Sequence, residues 1–226
     1  MKKIMLVAAH PDDELLGSAG TLLFFKKKGY QIKIIFLSDG ESSRNIGEKR
    51  KKTLIKQRKV QATKVSKLCK FKEPSFAEFP DNCLDTIPML KIVKFIENEI
   101  KKFKPSIIIT RNENDLNIDH KLVFKAVVTA TRPSTKTFVN SIYCFETLSS
   151  TENNFSKNKV NFNPNLYFDI SSFINKKINL LKIYNKEIKK YPHSRSLESV
   201  KVLAKYRGTQ IGVKYAEAFY LLRKLH

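Results

Sequence analysis

The stretch AAHPDDELLG, residues 8–17, places a histidine, a proline and three acidic residues directly after an apolar run. That run, residues 4–9, has the composition of a buried first strand. An unpaired charge in a protein core is costly, so the polar cluster is either a solvated turn or a site that holds something positive. Apolar residues at helical spacing follow the cluster and predict a helix over residues 15–28. A strand, a polar turn and a helix in this order indicate the start of an α/β fold.

The same alternation of strands and helices continues along the chain. The apolar strands are nearly continuous, which favours a mostly parallel sheet with helices on both faces. A length of 226 residues fits one large domain, so we expect a single Rossmann-like α/β domain over residues 1–226. Strands are predicted over residues 3–9, 33–38, 75–79, 106–110, 142–145 and 166–168. Helices are predicted over residues 15–28, 48–71, 86–103, 119–131, 174–190 and 196–207.

The composition is that of a globular protein, with 42% hydrophobic residues. Because no apolar run approaches the roughly 18 residues of a membrane span, no span is expected. The first apolar run is short and lacks a small-residue cleavage site, which favours the first strand of a cytoplasmic protein over a signal peptide. Cys69, Cys83 and Cys144 form no Cys-x-x-Cys pair, and we expect them to be reduced.

The net charge of +22 admits several kinds of partner, including nucleic acid, anionic lipid and a phosphorylated substrate. The charge is spread along the chain, mostly as lysine on predicted helix faces, which favours a solvated surface. No recognised nucleic-acid-binding module is present, so no nucleic-acid partner is expected. A basic nucleic-acid-binding protein with a vestigial site remains the alternative, as does a non-catalytic sugar-nucleotide binder.

Two clusters of acids and histidines are predicted to meet at one edge of the sheet. In a doubly wound sheet of order 3-2-1-4-5, ligands bind where strands 1 and 4 end, at the point where the strand order reverses. His10 and the acids beside it follow the first strand, and Asp115, Asp119 and His120 follow the fourth. The clusters lie over a hundred residues apart in the sequence, and the architecture predicts that they form one active site.

The residue types in these clusters suit a bound metal ion. His10 and Asp13 are three residues apart at the start of a helix, and His120 from the facing loop completes two imidazoles and one carboxylate. This set suits Zn²⁺ with a position left open for water, whose pKa then falls to about 7. Asp12, next to a ligand, is positioned to take the proton as general base. The same ligands also fit Fe²⁺ or another divalent metal.

At this point the sequence resembles a known family, the LmbE-like or PIG-L zinc-dependent N-acetylglucosaminyl de-N-acetylases. The family motif Ala-His-Pro-Asp-Asp-Glu stands complete at residues 9–14, and the second motif ends here in Asp119-His120. Further likenesses lie at residues 38–41, 131–133, 192–196 and 216–219. The resemblance implies zinc on His10, Asp13 and His120, with Asp12 as general base.

The resemblance also implies hydrolysis of the N-acetyl group of an amino sugar. The excess of basic over acidic residues favours an anionic substrate, such as a sugar nucleotide, another phosphate-bearing sugar or a glycan precursor. Asn117 stands where the family often carries a histidine. His193, in YPHSRS, is then the histidine best placed to stabilise the oxyanion, since two others are assigned to metal and His226 ends the chain. The candidate substrate contacts are Arg44, Arg58, Asp81, Arg111 and Asn117.

Overall fold

The protein is described by a computed structural model that covers residues 2–133, 139–155 and 162–225. Two 3₁₀ turns, Leu84–Thr86 and Lys182–Tyr184, accompany the regular elements. The strands are β1 (Lys3–Ala8), β2 (Gln31–Ser38), β3 (Ser75–Phe79), β4 (Ile107–Arg111), β5 (Ser141–Phe145), β6 (Leu166–Asp169) and β7 (Ala216–Lys224). The helices are α1 (Asp13–Lys27), α2 (Glu48–Leu68), α3 (Met89–Phe103), α4 (Ile118–Ala130), α5 (Ile174–Leu181) and α6 (Leu197–Thr209).

The seven strands form one sheet in the order β3-β2-β1-β4-β5-β7-β6. Neighbouring strands from β3 to β5 are parallel, whereas β7 runs antiparallel to both β5 and β6. The predicted α/β class with a mostly parallel sheet is therefore confirmed, as is the order 3-2-1-4-5 of its first five strands.

Two hydrophobic cores cover the two faces of the sheet. Successive side chains of a strand point to opposite faces, so Leu6 and Ala8 of β1 enter one core while Met5 and Val7 enter the other. The first core is closed by α1, α2, α5 and α6, and the second by α3 and α4. Double coverage explains why β1 is apolar from Ile4 to Ala8. None of the helices in the described residues is both long and apolar enough to cross a membrane.

A buried ion pair ties α1 to the last strand. Glu217 of β7 accepts hydrogen bonds from the backbone N–H groups of Gly20 (2.9 Å) and Thr21 (2.7 Å). Lys177 donates to the same carboxylate (2.7 Å) and to the carbonyl oxygen of Leu16 (2.8 Å). Leu16 and Gly20 stand four residues apart, the spacing of one helical hydrogen bond. The Lys177–Glu217 ion pair therefore holds the middle of α1, the helix that begins at Asp13.

The structure differs from the sequence prediction in the C-terminal third. The helix predicted over residues 174–190 ends at Leu181 and is followed by a 3₁₀ turn. Tyr184 in that turn is completely buried and donates a hydrogen bond to Glu14 (2.7 Å). This hydrogen bond ties the turn after α5 to the start of α1. The apolar run after Gly212 forms β7, which inserts between β5 and β6.

Candidate active site

The turn between β1 and α1 presents Asp12 in an unusual backbone conformation. Its φ of 137° lies in a region that residues other than glycine rarely adopt, and such conformations persist where the surroundings hold them. Two contacts hold this turn: the backbone N–H of Leu15 donates to the carbonyl of Asp12 (3.0 Å), and Arg58 Nη1 donates to the carbonyl of Pro11 (2.8 Å). The turn thereby leads directly into Asp13 at the first position of α1.

Asn117 caps the helix that carries His120. Its side-chain oxygen accepts hydrogen bonds from the backbone N–H groups of Asp119 (2.8 Å) and His120 (3.3 Å), as is typical of an N-cap residue. Its amide nitrogen donates to the side chain of Asn82 (2.7 Å). Asn117 therefore fixes the start of α4.

Three side-chain atoms converge where β1 and β4 end. His10 Nδ1 lies 3.3 Å from His120 Nε2 and 3.6 Å from Asp13 Oδ2, and the last two atoms are 3.7 Å apart. Ligands bound tetrahedrally at zinc distances are separated by about 3.3–3.6 Å, so this triangle fits a metal ion of that size. His10, Asp13 and His120 could therefore bind a metal.

The outer nitrogen of each histidine faces carboxylates. His10 Nε2 lies 3.0 Å from Asp81 Oδ1 and 3.2 Å from Asp119 Oδ2, and His120 Nδ1 lies 3.0 Å from Asp115 Oδ1. Carboxylates in this position orient metal-binding imidazoles and raise their basicity.

His10, Asp81 and Asp119 form a second group that could hold a cation. Both oxygens of Asp119 already accept backbone N–H groups, from Asn82 (2.8 Å) and Leu84 (3.0 Å). The second group is therefore better suited to orient His10 than to bind a metal of its own.

Arg111 lies completely buried beneath the converging ligands. Its Nη1 is 3.1 Å from Asp13 Oδ1, its Nη2 is 3.3 Å from Asp115 Oδ2, and Nη2 also contacts Nδ1 of His120. Its guanidinium stacks 4.9 Å from the centre of the Phe145 ring. The guanidinium thus faces Asp13 and Asp115 and has no solvent-exposed surface, and the substrate contact expected of Arg111 stays a prediction.

The charges around the ligands set their protonation. Burial, and next the charge of Arg111, lower the pKa of His120 to about 4. Burial alone would raise the pKa of Asp13, but the charge of Arg111 lowers it well below its usual range. A neutral imidazole and an ionised carboxylate are the forms that bind a cation. Burial lowers the pKa of His10, yet its carboxylate neighbours raise it well above its usual range, so metal binding there would release a proton.

A polar cavity of about 190 Å³ opens beside the ligands. His10 is the one residue of the converging triangle that lines it, next to Asp12. Four of the five predicted substrate contacts border it, and Arg111 does not. The lining residues are His10, Asp12, Gly40, Ser43, Arg44, Arg58, Asp81, Asn82, Asn117, Glu187 and Arg195.

The arginines of the cavity are paired with glutamates. Arg44, whose side chain is 40% exposed, contacts Glu41 (2.8 Å) and Glu187 (2.7 Å) at the mouth. Arg58 is buried and contacts the same two carboxylates, each at 2.7 Å. The cavity therefore carries no unbalanced block of positive charge, although Arg44 remains accessible to a ligand.

His193 is exposed and is not among the residues that line the cavity. Its Nδ1 accepts a hydrogen bond from the backbone N–H of Arg195 (3.0 Å). The side chain of Arg195 enters the cavity instead, with Nη1 3.2 Å from Asp12 Oδ2. The YPHSRS segment thus reaches the site through its arginine, and the oxyanion role expected of His193 stays a prediction. The sequence also did not indicate that Glu187 lines the cavity, because this residue falls within the helix predicted over residues 174–190.

Solved structures with the same fold include two deacetylases and a hydratase. N,N'-diacetylchitobiose deacetylase from Pyrococcus horikoshii has a TM-score of 0.78 at 17% identity, with 98% of this chain and 84% of that chain covered. The zinc-inhibited form of teicoplanin deacetylase Orf2 has a TM-score of 0.76 at 13% identity, with 99% of both chains covered. The 4-carboxy-2-hydroxymuconate hydratase GalB from Pseudomonas putida KT2440 has a TM-score of 0.76 at 19% identity, with 100% of this chain and 98% of that chain covered.

These likenesses establish the fold, and the hydratase shows that the fold serves more than one reaction. The family is established by a separate match. The family model described as PIG-L, GlcNAc-PI de-N-acetylase, matches residues 5–131, which is more than half of the chain and includes every residue of the converging triangle. The chain therefore belongs to the PIG-L family.

Proposed function

We propose that this protein is a zinc-dependent hydrolase that removes the N-acetyl group from an amino sugar. The observation that carries the proposal is the triangle of His10 Nδ1, Asp13 Oδ2 and His120 Nε2, with edges of 3.3–3.7 Å. The triangle lies beside a polar cavity, and Asp12 is among the residues that line this cavity. The family supports the reaction type, since its description is that of a de-N-acetylase.

His10, Asp13 and His120 are the residues that would hold the metal. When bound there, zinc supplies a Lewis acid and lowers the pKa of a bound water to about 7. The protein's own contribution is to fix the donors, through Asp119 and Asp81 on His10 and through Asp115 on His120. Outer contacts of this kind typically change metal affinity or activity by about 10–100-fold when removed.

Asp12 is the general base of this proposal. Its Oδ1 is buried and has no hydrogen-bond partner among the described residues, so it is available to accept a proton. Burial raises the pKa of Asp12, against the lowering effect of Arg195 and Arg58. A raised pKa suits a group that first accepts a proton and then returns it to the leaving amine.

The cavity supports a polyhydroxylated sugar as the substrate. Ser43, Asn82 and Asn117 offer hydroxyl and amide groups, and Asp81 adds a carboxylate. Arg44 at the mouth is the residue best placed for a phosphate group of a sugar nucleotide or another glycan precursor. Because Glu41 and Glu187 already pair with Arg44, such a phosphate would have to compete with them.

Acetate release by the purified, zinc-loaded protein tests the proposed function. The panel contains N-acetyl amino sugars, their nucleotide derivatives and N-acetylated glycolipids. We expect acetate from at least one class, loss of activity with a chelator and recovery when zinc is restored. Binding of a sugar nucleotide without acetate release would favour a non-catalytic binder, and salt-sensitive binding of DNA or RNA alone would favour the nucleic-acid alternative.

A further inference from the structure

The guanidinium of Arg195 is fixed by two groups besides Asp12. Its Nε donates to Ser149 Oγ at 2.6 Å, and its Nη1 lies 3.3 Å from Glu187 Oε2. The same Nη1 lies 3.2 Å from Asp12 Oδ2. Ser149 adopts a φ of 72°, so a loop residue in a rarely used conformation meets the arginine. An arginine side chain held at both Nε and Nη1 has a defined orientation toward Asp12.

Glu187 is the point at which three arginines meet. Its Oε1 accepts from Arg44 Nη2 and from Arg58 Nη2, each at 2.7 Å, while its Oε2 faces Arg195. The carboxylate is buried, and a buried charge requires such pairing. Glu187 therefore links the arginines of the cavity wall into one charged network.

Arg195 is the cation nearest to Asp12. Arg58 Nη1 is farther from Asp12 Oδ2, at 3.7 Å, and donates to the carbonyl of Pro11. The other nitrogens of Arg58 contact Glu41 and Glu187. Arg195 thus provides the closest charged contact to one oxygen of Asp12, while the second oxygen has no hydrogen-bond partner among the described residues.

We propose that Arg195 is a positioning residue for the reaction, which fixes Oδ2 of Asp12 so that Oδ1 is held ready to accept the proton. This inference rests on the proposed function, because it assigns Arg195 a role through the proposed base. It gives the YPHSRS segment a part in the reaction through its arginine. It also assigns Glu187 and Ser149 the task of holding that arginine in place.

The first test compares Arg195→Ala with a matched control, Arg207→Ala. Arg207 is likewise largely buried and pairs with Glu146 at 2.7 and 2.6 Å, but it does not line the cavity. We expect kcat of Arg195→Ala to fall about 10–100-fold with bound zinc unchanged. Guanidinium added well below denaturing concentrations should restore part of that loss, whereas it should restore nothing in Arg207→Ala. Full turnover in Arg195→Ala, or a loss that guanidinium leaves untouched, would overturn the inference.

The second test is a double-mutant cycle with Asp12→Asn. If Arg195 acts through Asp12, its replacement should cost far less kcat in the Asp12→Asn protein than in the wild type. An equal loss in both backgrounds would show that Arg195 acts elsewhere. Acetate release by the wild type is measured first, because its absence across the panel would refute the proposed function. If the wild type turns over and Arg195→Ala has the same kcat, only the role of Arg195 is refuted.

Discussion

Two adjacent carboxylates at residues 12 and 13 receive different environments. Oδ1 of Asp13 lies 3.1 Å from Arg111 and its Oδ2 lies within 3.7 Å of both histidines, whereas Oδ2 of Asp12 faces Arg195 and Oδ1 of Asp12 has no hydrogen-bond partner among the described residues. We predict that Asp12→Asn retains bound zinc but lowers kcat by about 10²–10⁴-fold, the usual contribution of a positioned base. Zinc analysis and steady-state kinetics on the same sample measure both effects. Near-normal turnover would leave Asp12 with a structural role in the turn.

His193→Ala tests the sequence expectation against the structure. An imidazole that stabilised the oxyanion would cost about 10²–10³-fold in kcat when removed. Because the His193 side chain is exposed and its Nδ1 accepts a hydrogen bond from the backbone N–H of Arg195, we predict a loss of less than about 10-fold. A fall of 10²-fold or more, with zinc retained, would return His193 to the reaction.

The convergence of His10, Asp13 and His120 could be predicted from sequence because their positions follow from regular elements. His10 and Asp13 flank the start of α1, and His120 lies in the first turn of α4, so strand order alone brings them together. Arg195 was missed because it lies in an irregular segment whose path depends on tertiary contacts. The complete burial of Arg111 was not foreseen, because only the fold shows that Asp13 and Asp115 compensate it.

At the scale of elements, α1 packs so closely on the sheet that its glycines have no room for a side chain. A Cβ at Gly17 would lie 2.0 Å from Cδ2 of the buried Phe145. We predict that Gly17→Ala lowers the free energy of unfolding by about 1–3 kcal/mol, because overpacking exceeds the gain in helix propensity. Gly47→Ala is the matched control, since nothing lies within 4 Å of its Cβ position.

Denaturant unfolding of both glycine variants measures this difference. Gly47→Ala should cost no more than about 1 kcal/mol, because Gly47 is the exposed N-cap of α2 and the loss of a cap preference is the one effect expected there. A Gly17→Ala protein as stable as the wild type would show that Phe145 moves aside without cost. In that case the contact between α1 and β5 would not constrain the position of Asp13 at the start of α1.

The parallel elements were predicted more fully than the C-terminal ones. Strands β1 to β4 and the helices between them carry clear apolar periodicity, and their order follows the common doubly wound pattern. The strand β7 is antiparallel and inserts between β5 and β6. The apolar pattern of a strand does not indicate its direction or its place in the sheet. The early end of α5 depends on the buried hydrogen bond between Tyr184 and Glu14, which joins residues 170 positions apart.

At the scale of the whole molecule, charge is distributed unevenly. The chain carries a net charge of +22, yet the cavity is lined by three arginines and by Asp12, Asp81 and Glu187, with no lysine among the described lining residues. The lysines of the described residues therefore do not line the cavity. The global charge alone is consequently weak support for an anionic substrate, and Arg44 at the mouth is the more specific argument.

The most direct measurement is the zinc content of the His120→Ala protein, determined by elemental analysis together with acetate release. Its matched control is His193→Ala, the same substitution at an exposed position outside the cavity. We predict that the control binds zinc as the wild type does, while His120→Ala loses zinc and activity together, because one corner of the triangle is removed. A His120→Ala protein that retains wild-type zinc occupancy and acetate release would contradict the assignment of His10, Asp13 and His120 as the metal site.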